Sequence, residues 1–183
     1  MAVENERKFV LYPSVEEELV NVPAHQRITQ GYIRTSAEGV AIRLRKAKYY
    51  ENNEKTDLKR IFTFKSRNPD FTSTEIETEI TKKDFDAIWP KITRQLTKTR
   101  YNIKHGELWW EIDTFRGFGG SYFWMAEIEL PEKQDWPDVV PDYIKNHLLY
   151  KVPLTDGRFS SKKLCDESYA KNLFKQLIKE QKK

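Results

Sequence analysis

Residues 121–130, SYFWMAEIEL, alternate between apolar and charged side chains over their second half. Side chains on an extended chain point alternately to two faces. Glu127 and Glu129 therefore share one face, and Ala126 and Ile128 share the other. This alternation predicts a β-strand with one charged face and one apolar face.

The same alternation recurs along the chain on both sides of this segment. In residues 107–115, ELWWEIDTF, Glu111 and Asp113 share a face opposite Trp110 and Ile112. Candidate strands lie at about 3–12, 26–35, 40–48, 58–66, 73–80, 98–104, 107–115 and 121–130. Eight strands of this kind can close on themselves. The pattern predicts an α+β fold, a closed eight-stranded antiparallel β-barrel with helices packed outside.

Helical patterns interrupt the strands. Ser14 and Glu17 have the spacing of a capping box and predict a short helix near 15–20. An apolar stripe near the end of the chain predicts a C-terminal helix at about 166–180. Residues 49–57, YYENNEKTD, are polar and predict a loop.

Length and composition limit the possible classes of protein. The 183 residues predict a single domain spanning 1–183. The net charge of +4 is too small to indicate a nucleic-acid-binding protein. The sequence contains no apolar run of membrane-spanning length, and its charged start lacks the pattern of a signal peptide. With Cys165 as the one cysteine, these features predict a cytoplasmic protein with no membrane partner.

Charged residues occupy one face of nearly every predicted strand. Such faces could simply be the water-facing side of an ordinary sheet. Their repetition instead favours a barrel with apolar faces outward, beneath the helices, and charged faces inward. Buried charge requires neutralisation. A polyphosphate would pair with the inward Arg and Lys side chains, and hard divalent cations would pair with the carboxylates.

The ordered set of motifs resembles the CYTH family, the triphosphate tunnel metalloenzymes. The family's Glu-x-Glu-x-Lys signature stands here as Glu4-Asn5-Glu6-Arg7-Lys8. The remaining matches, in chain order, are Gln30-Gly31-Tyr32-Ile33, Ile42-Arg43-Leu44-Arg45, Thr63-Phe64-Lys65, Glu77-Thr78-Glu79-Ile80, Leu96-Thr97-Lys98-Thr99-Arg100, Trp110-Glu111-Ile112-Asp113-Thr114-Phe115-Arg116-Gly117 and Ala126-Glu127-Ile128-Glu129-Leu130. They cover about residues 4–130, and bacterial-type inorganic triphosphatases are the members they resemble.

The resemblance implies a set of roles around a central tunnel. It implies Mg²⁺ or Mn²⁺ as the cofactor, bound by the carboxylates of Glu4, Glu6, Asp113, Glu127 and Glu129. It implies phosphate ligands at Arg43, Arg45, Lys65, Lys98 and Arg100. Lys8 and Tyr32 resemble a catalytic pair, in which a lowered lysine pKa would assist proton transfer; the alternative is that Lys8 contacts phosphate and Tyr32 packs or hydrogen-bonds. Supporting roles fall to Glu77, Glu79, Glu111 and Arg158.

The function predicted from this resemblance is metal-dependent hydrolysis of a triphosphate, with inorganic triphosphate cleaved to pyrophosphate and phosphate. The alternatives are an adenylyl cyclase of the same fold, a thiamine or nucleoside triphosphatase, and a non-catalytic polyphosphate or nucleotide sensor. Trp109 is in phase with Glu111 and could stack on an organic group. The expected partner is a small triphosphate-containing molecule rather than a nucleic acid, and a homodimer is possible.

Overall fold

The computed structural model describes residues 5–37, 39–67, 73–132 and 134–181. Nine antiparallel strands form one sheet in the order β5-β4-β3-β2-β6-β7-β8-β1-β9. The strands are β1 (Glu6–Leu11), β2 (Ala24–Ile33), β3 (Val40–Glu51), β4 (Glu54–Arg67), β5 (Ser73–Glu79), β6 (Arg94–His105), β7 (Leu108–Gly117), β8 (Gly120–Glu129) and β9 (Leu148–Lys151). The helices are α1 (Val15–Leu19), α2 (Lys82–Ile88), α3 (Asp142–Lys145), α4 (Ser161–Leu164) and α5 (Glu167–Gln181).

The prediction of a closed eight-stranded barrel is wrong in strand number and in closure. All eight predicted strands form, but β9 adds a ninth by pairing with β1, where Val10 lies opposite Tyr150. Within the described ranges, no pairing joins the edge strands β5 and β9. The sheet is therefore open at its edges. β9 has only four residues, too few for an alternation pattern to reveal it.

The predicted loop at 49–57 is instead the tip of a long hairpin. Strand β3 continues to Glu51, and β4 begins at Glu54. Asn52 and Asn53, between them, have φ of +49° and +67°. Two central residues with positive φ make a tight hairpin turn, and asparagine tolerates that conformation. These strand ends are polar because they extend away from the apolar core, and the polar composition therefore resembled that of a loop.

The short helices attach to the sheet through local contacts. Helix α1 forms as predicted, although Ser14 does not cap it: the Ser14 hydroxyl lies 2.8 Å from Nδ1 of His147. At α2 the hydroxyl of Thr81 accepts a hydrogen bond from the amide of Asp84, as an N-cap should. A 3₁₀ turn follows α2, and a β-carbon added at Gly31 would lie 2.5 Å from the Ile92 side chain just beyond it.

Two apolar clusters lie on opposite faces of the sheet. One packs α1 and α3 against the face that carries Phe9, Trp110 and Ile128. The other packs α4 and α5 against a set that includes Val10, Phe115, Phe123 and Met125. Val10, Phe115 and Met125 alternate in phase with Lys8, Asp113 and Glu127, so they lie on the charged face. The C-terminal helix forms close to its predicted limits, but it covers one end of the charged face instead of packing outside.

None of the helices in the described part of the chain combines the length and the apolar character that crossing a membrane would require.

Candidate phosphate-binding cavity

The charged face of the curled sheet encloses a cavity of about 540 Å³. Side chains from β1 to β8 and from the start of α4 line it. They are Glu6, Lys8, Tyr32, Ala41, Arg43, Arg45, Thr63, Lys65, Glu75, Glu77, Lys98, Arg100, Trp109, Glu111, Glu127, Ile128, Glu129, Ser160, Ser161 and Lys162. Most residues predicted for the site therefore meet in one cavity, which confirms that the charged strand faces are turned inward.

Strands β3, β4 and β5 form a wall in which basic and acidic side chains alternate. Nη2 of Arg43 donates to Glu77 at 2.7 Å and to Glu75 at 3.3 Å. Lys65 lies 3.0 Å from Glu75. The hydroxyl of Thr63 donates to Glu77 at 2.8 Å. Glu75 and Glu77 thus hold the basic side chains of this wall in place.

Arg45 differs from its neighbour Arg43 because none of the described carboxylates forms an ion pair with it. No described carboxylate lies within salt-bridge distance of its guanidinium, and its buried Nε has no hydrogen-bond acceptor among the described side chains. Burial lowers the pKa of Arg45, and the positive charges of Arg43 and Arg100 lower it further. A half-buried guanidinium with an unsatisfied Nε is costly, and an anion in the cavity would supply the missing acceptor.

A buried ion network lies across the cavity on β6, β7 and β8. Asp113 is fully buried and accepts from Lys98 at 2.5 Å and from Arg100 at 2.6–2.7 Å. Arg100 also contacts Glu111 and donates to Glu127 at 2.9 Å. Burial, and then the charge of Arg100, lowers the pKa of Lys98 to about 8. Asp113 therefore holds two basic side chains, and its oxygens are already occupied.

Lys8 bridges two carboxylates on neighbouring strands. Its Nζ contacts Glu6 on β1 and Glu127 on β8. Burial alone would lower the pKa of Lys8, but the charges of Glu127 and Glu6 outweigh it, and the pKa lies well above its ordinary value. The sequence left open whether Lys8 handles protons through a lowered pKa or contacts phosphate, and in this arrangement its pKa is raised and the ammonium group is charged.

Tyr32 is buried on the same cavity wall as Arg43 and Arg45. Its hydroxyl accepts a hydrogen bond from Nε2 of Gln30 at 2.8 Å. Burial raises the pKa of Tyr32, so the hydroxyl is protonated at neutral pH. Tyr32 and Lys8 both line the cavity, but no hydrogen bond joins them among the described residues.

Carboxylates cluster where β1 meets β8. Glu6 lies opposite Glu129, and Lys8 lies opposite Glu127, in the antiparallel register. Oxygen donors of this kind suit Mg²⁺ or Mn²⁺, so the donor set fits a hard divalent cation. Among the described side chains, no three acidic, histidine or cysteine groups already stand close enough together to hold one. The predicted ligand Glu4 lies outside the described residues.

Three of the described residues predicted for the site do not line the cavity. The predicted metal ligand Asp113 is fully buried and contacts Lys98 and Arg100 instead. Glu79 is exposed near the end of β5. Arg158 follows Asp156 in a 3₁₀ turn, and its Nη2 donates to Asp156 at 2.7 Å outside the cavity lining. An ion pair between residues two apart explains Arg158 without any role in binding.

The structure also adds residues that sequence reasoning missed. Thr63 lies in phase with Lys65, so the alternation of β4 could have identified it. Ser161 and Lys162 reach the cavity from the start of α4. The alternation in the strands could not show that this segment reaches the charged face. The packing of α5, rather than any strand, places it there. Trp109, which is 55% exposed, lines the cavity as its strand phase allowed.

The antiparallel sheet curled around a cavity of opposed basic and acidic side chains is the CYTH-type fold that the sequence motifs resemble. Comparison with solved structures supports this assignment. The structure of the inorganic triphosphatase NE1496 superposes with a TM-score of 0.52 and 25% sequence identity, covering 87% of this chain and 95% of that chain.

Two further structures match over most of their length. An adenylate cyclase candidate from Bacillus halodurans has a TM-score of 0.51 and 14% identity, covering 73% of this chain and 82% of its own. A conserved hypothetical protein from Pyrococcus furiosus has a TM-score of 0.51 and 19% identity, covering 78% and 84%. These two likenesses show the fold alone. No family model matches the sequence, and no curated protein matches it.

Proposed function

We propose that the cavity binds a triphosphate and hydrolyses one of its phosphoanhydride bonds, with inorganic triphosphate as the preferred substrate. The observation that carries this proposal is Arg45, a half-buried side chain whose buried Nε has no acceptor and whose guanidinium has no carboxylate partner among the described residues, in a cavity that also holds Arg43, Lys65, Lys98 and Arg100. The similarity to the inorganic triphosphatase NE1496 supports the same chemistry.

The basic side chains would bind the phosphate chain in two different ways. Arg45 is available at once, because binding breaks no existing ion pair. Arg43 and Lys65 already pair with carboxylates. Each must either bind the substrate in addition to its carboxylate partner or give up that partner to bind the substrate. Lys98 and Arg100 remain anchored by Asp113 and contribute positive charge from the opposite wall. Fixed positive groups placed around developing phosphate charge are the main source of catalysis in phosphoryl transfer.

We assign the cofactor, Mg²⁺ or Mn²⁺, to the carboxylates of Glu6, Glu127 and Glu129, with Glu4 as a further ligand. A cation held there would neutralise phosphate oxygens. Asp113 is better placed to position Lys98 and Arg100 than to bind metal, because it is fully buried and both of its oxygens accept hydrogen bonds. Glu111 has a similar positioning role through its contact with Arg100.

Hydrolysis requires a water molecule to form a new bond to phosphorus while the anhydride oxygen leaves. Inorganic triphosphate would yield orthophosphate and pyrophosphate. While Lys8 contacts Glu6 and Glu127 it is a cation, so it stabilises charge or donates a proton to the leaving oxygen. A role as a base requires those contacts to break first. The protonated hydroxyl of Tyr32 can orient a phosphate oxygen or the attacking water.

Trp109 supports the alternative that the substrate is an organic triphosphate. It lines the cavity, and its half-exposed ring is free to stack on a base or a thiazolium ring. A nucleoside or thiamine triphosphatase would keep the same reaction class. A cyclase would additionally direct a ribose hydroxyl at the α-phosphate, and a non-catalytic sensor would bind the triphosphate without turnover.

The deciding experiment is a substrate panel with separated products. The purified protein is incubated with inorganic triphosphate, ATP or thiamine triphosphate, with Mg²⁺ or Mn²⁺, and the products are separated by ion chromatography. We expect inorganic triphosphate to be cleaved at least as efficiently as ATP, and Arg45→Gln to lose activity while Lys171→Gln, on the exposed face of α5, retains it. Cyclic AMP would identify a cyclase, and binding without products would identify a sensor.

A further inference from the structure

A group of basic side chains lies on the convex face of the sheet, away from the cavity. We name this group the basic stripe; it consists of Arg27 on β2, Lys46 and Lys48 on β3, Arg60 on β4 and Arg116 on β7. The β3 members alternate with Arg45, which lines the cavity, so they point to the opposite face. None of the stripe residues lines the cavity.

The strand register brings these cations next to one another. Arg27 lies directly opposite Lys48, and Lys46 lies directly opposite Arg60. Arg116 extends along the sheet so that its Nε donates to the hydroxyl of Thr99 at 3.1 Å. Thr99 in turn lies opposite Arg27. The stripe therefore crosses from β4 to β7, a distance of about 19 Å at roughly 4.8 Å per strand.

This arrangement is electrostatically unfavourable for the isolated protein. Like charges directly opposite each other destabilise a sheet. Within the described ranges, no carboxylate lies within salt-bridge distance of a stripe residue. Asp86 on α2 lies near Arg60 and Lys46: its pKa is lowered first by a hydrogen bond from Lys82, then by the charge of Lys82 and by those of Arg60 and Lys46. Asp86 already pairs with Lys82, so Lys82 and the stripe share its negative charge.

A row of aromatic side chains borders the stripe on the same face. The rings of His25 and Tyr50 are stacked with centroids 5.0 Å apart, and the ring of Tyr101 lies 5.7 Å from His25 on its other side. The guanidinium of Arg27 lies 4.9 Å from the centre of the Tyr50 ring. Burial, followed by the charges of Arg27 and Arg116, lowers the pKa of His25. The imidazole is therefore neutral at pH 7 and can both donate and accept hydrogen bonds.

The combination of cations and neutral hydrogen-bonding rings determines which polyanion fits. A bare polyphosphate would use the stripe but has no groups for the aromatic row. A polynucleotide would place phosphates on the cations, with sugar hydroxyls and base edges beside His25, Tyr50 and Tyr101. A single strand is the better fit, since its bases are accessible and its backbone can bend along a curved sheet.

We propose that the basic stripe and the adjoining aromatic row form a binding surface for single-stranded nucleic acid, distinct from the triphosphate cavity. The small net charge of the whole chain concealed this surface, because acidic residues elsewhere offset it. The binding is electrostatic in origin and has little sequence preference, since phosphates supply most of the contacts.

The test uses the full-length protein and a fluorescein-labelled oligouridylate of about 20 nucleotides, with binding followed by anisotropy over a range of KCl concentrations. If about four phosphates are neutralised, the logarithm of the binding constant should fall with the logarithm of salt concentration at a slope of about −3. The double variant Lys46→Glu/Lys48→Glu should bind about 10- to 100-fold more weakly at low salt and show a shallower slope.

The matched control is Lys175→Glu/Lys179→Glu, which makes the same change in net charge on the exposed face of α5. The proposal is overturned if the control weakens binding as much as the stripe variant does, or if the stripe variant binds normally. It is also overturned if duplex RNA, long-chain polyphosphate or vesicles of anionic lipid bind through the stripe more tightly than the single strand. Circular dichroism and triphosphate hydrolysis should be unchanged in the stripe variant, so loss of the surface is distinguishable from loss of the proposed enzyme.

Discussion

The guanidinium of Arg100 contacts both carboxylate oxygens of Asp113: Nε donates to Oδ1 at 2.7 Å, and Nη2 donates to Oδ2 at 2.6 Å. Lys98 donates to the same carboxylate at 2.5 Å, so two buried basic groups share one buried acidic group, and Arg100 also contacts Glu111 and Glu127. A bidentate pair of this kind is strong and fixed in direction. Asp113 thereby sets the positions from which Lys98 and Arg100 face the cavity.

The first prediction concerns the stability of this network. Asp113→Asn leaves Lys98 and Arg100 buried without their shared counter-charge, so we expect a loss of about 3–5 kcal/mol in unfolding free energy. The control is Asp156→Asn, which breaks the Asp156–Arg158 pair near the surface and should cost less than about 1 kcal/mol. Urea denaturation measures both. Equal losses in the two variants would mean that the buried network contributes no special stability.

The second prediction separates Arg45 from Arg43. Arg45→Gln removes a guanidinium that no described carboxylate pairs with, so we expect the apparent affinity for triphosphate to fall about 10- to 100-fold while thermal stability stays the same or rises. Arg43→Gln removes one basic partner of Glu75 and Glu77, which Lys65 and Thr63 still contact, and should lower stability by up to about 1 kcal/mol. Thermal melts with and without inorganic triphosphate test the pair of variants. A strong destabilisation by Arg45→Gln would show that its guanidinium has a structural partner.

The third prediction concerns His25, whose pKa is lowered by burial and by the charges of Arg27 and Arg116. The unfolded chain binds a proton at His25 at higher pH than the folded protein does. The contribution of His25 to stability is therefore present above about pH 6.5 and falls as the pH drops through that value toward the lowered pKa. In an NMR titration, Arg27→Gln should raise the pKa of His25, and Lys171→Gln should leave it unchanged. An unchanged pKa in Arg27→Gln would contradict the charge coupling.

The sequence predicted the inward charged faces because the alternation of charged and apolar residues is visible within the sequence of each single strand. Glu127, Glu129, Arg43 and Arg45 all line the cavity in the expected phase. Pairing between strands distant in the chain could not be inferred in this way. The register that places Lys8 opposite Glu127 depends on contacts across more than a hundred residues. For that reason the sequence could not show that Lys8 bridges Glu6 and Glu127 as a charged group.

The errors in the fold have a related cause. The turn at Asn52 and Asn53 is polar on all sides, and four-residue β9 is defined by its pairing with β1 rather than by composition. The placement of α5 on the charged face depends on Val10, Phe115 and Met125, which share a phase with charged residues farther along their strands. Alternation identifies a face but does not show where along the strand that face changes from apolar to charged.

The fourth prediction concerns catalysis by Lys8. Because Lys8 contacts Glu6 and Glu127 at the acidic end of the cavity, we expect it to act on the transition state more than on substrate binding. Lys8→Ala should lower kcat about 100-fold or more and change KM about tenfold at most. Steady-state kinetics with inorganic triphosphate provide both constants. A rise in KM alone would make Lys8 a phosphate ligand, and Lys8→Arg would then restore much of the affinity.

The last prediction is that Lys8 competes with the divalent cation. Its ammonium group contacts Glu6 and Glu127, two of the carboxylates that we assign to the metal, and a cation bound to those oxygens must displace it. Lys8→Met removes the internal competitor while keeping the side chain's length. We therefore expect this variant to bind Mn²⁺ more tightly than the native protein, by about tenfold, since about 1.4 kcal/mol of ion pairing no longer has to be broken. Electron paramagnetic resonance of free Mn²⁺ measures the binding without any turnover.

Lys162→Met is the matched control, because Lys162 lines the same cavity and no described carboxylate lies within salt-bridge distance of it. If both variants bind Mn²⁺ alike, the effect is one of overall cavity charge. If Lys8→Met binds Mn²⁺ more weakly than the native protein, the metal lies away from Glu6 and Glu127.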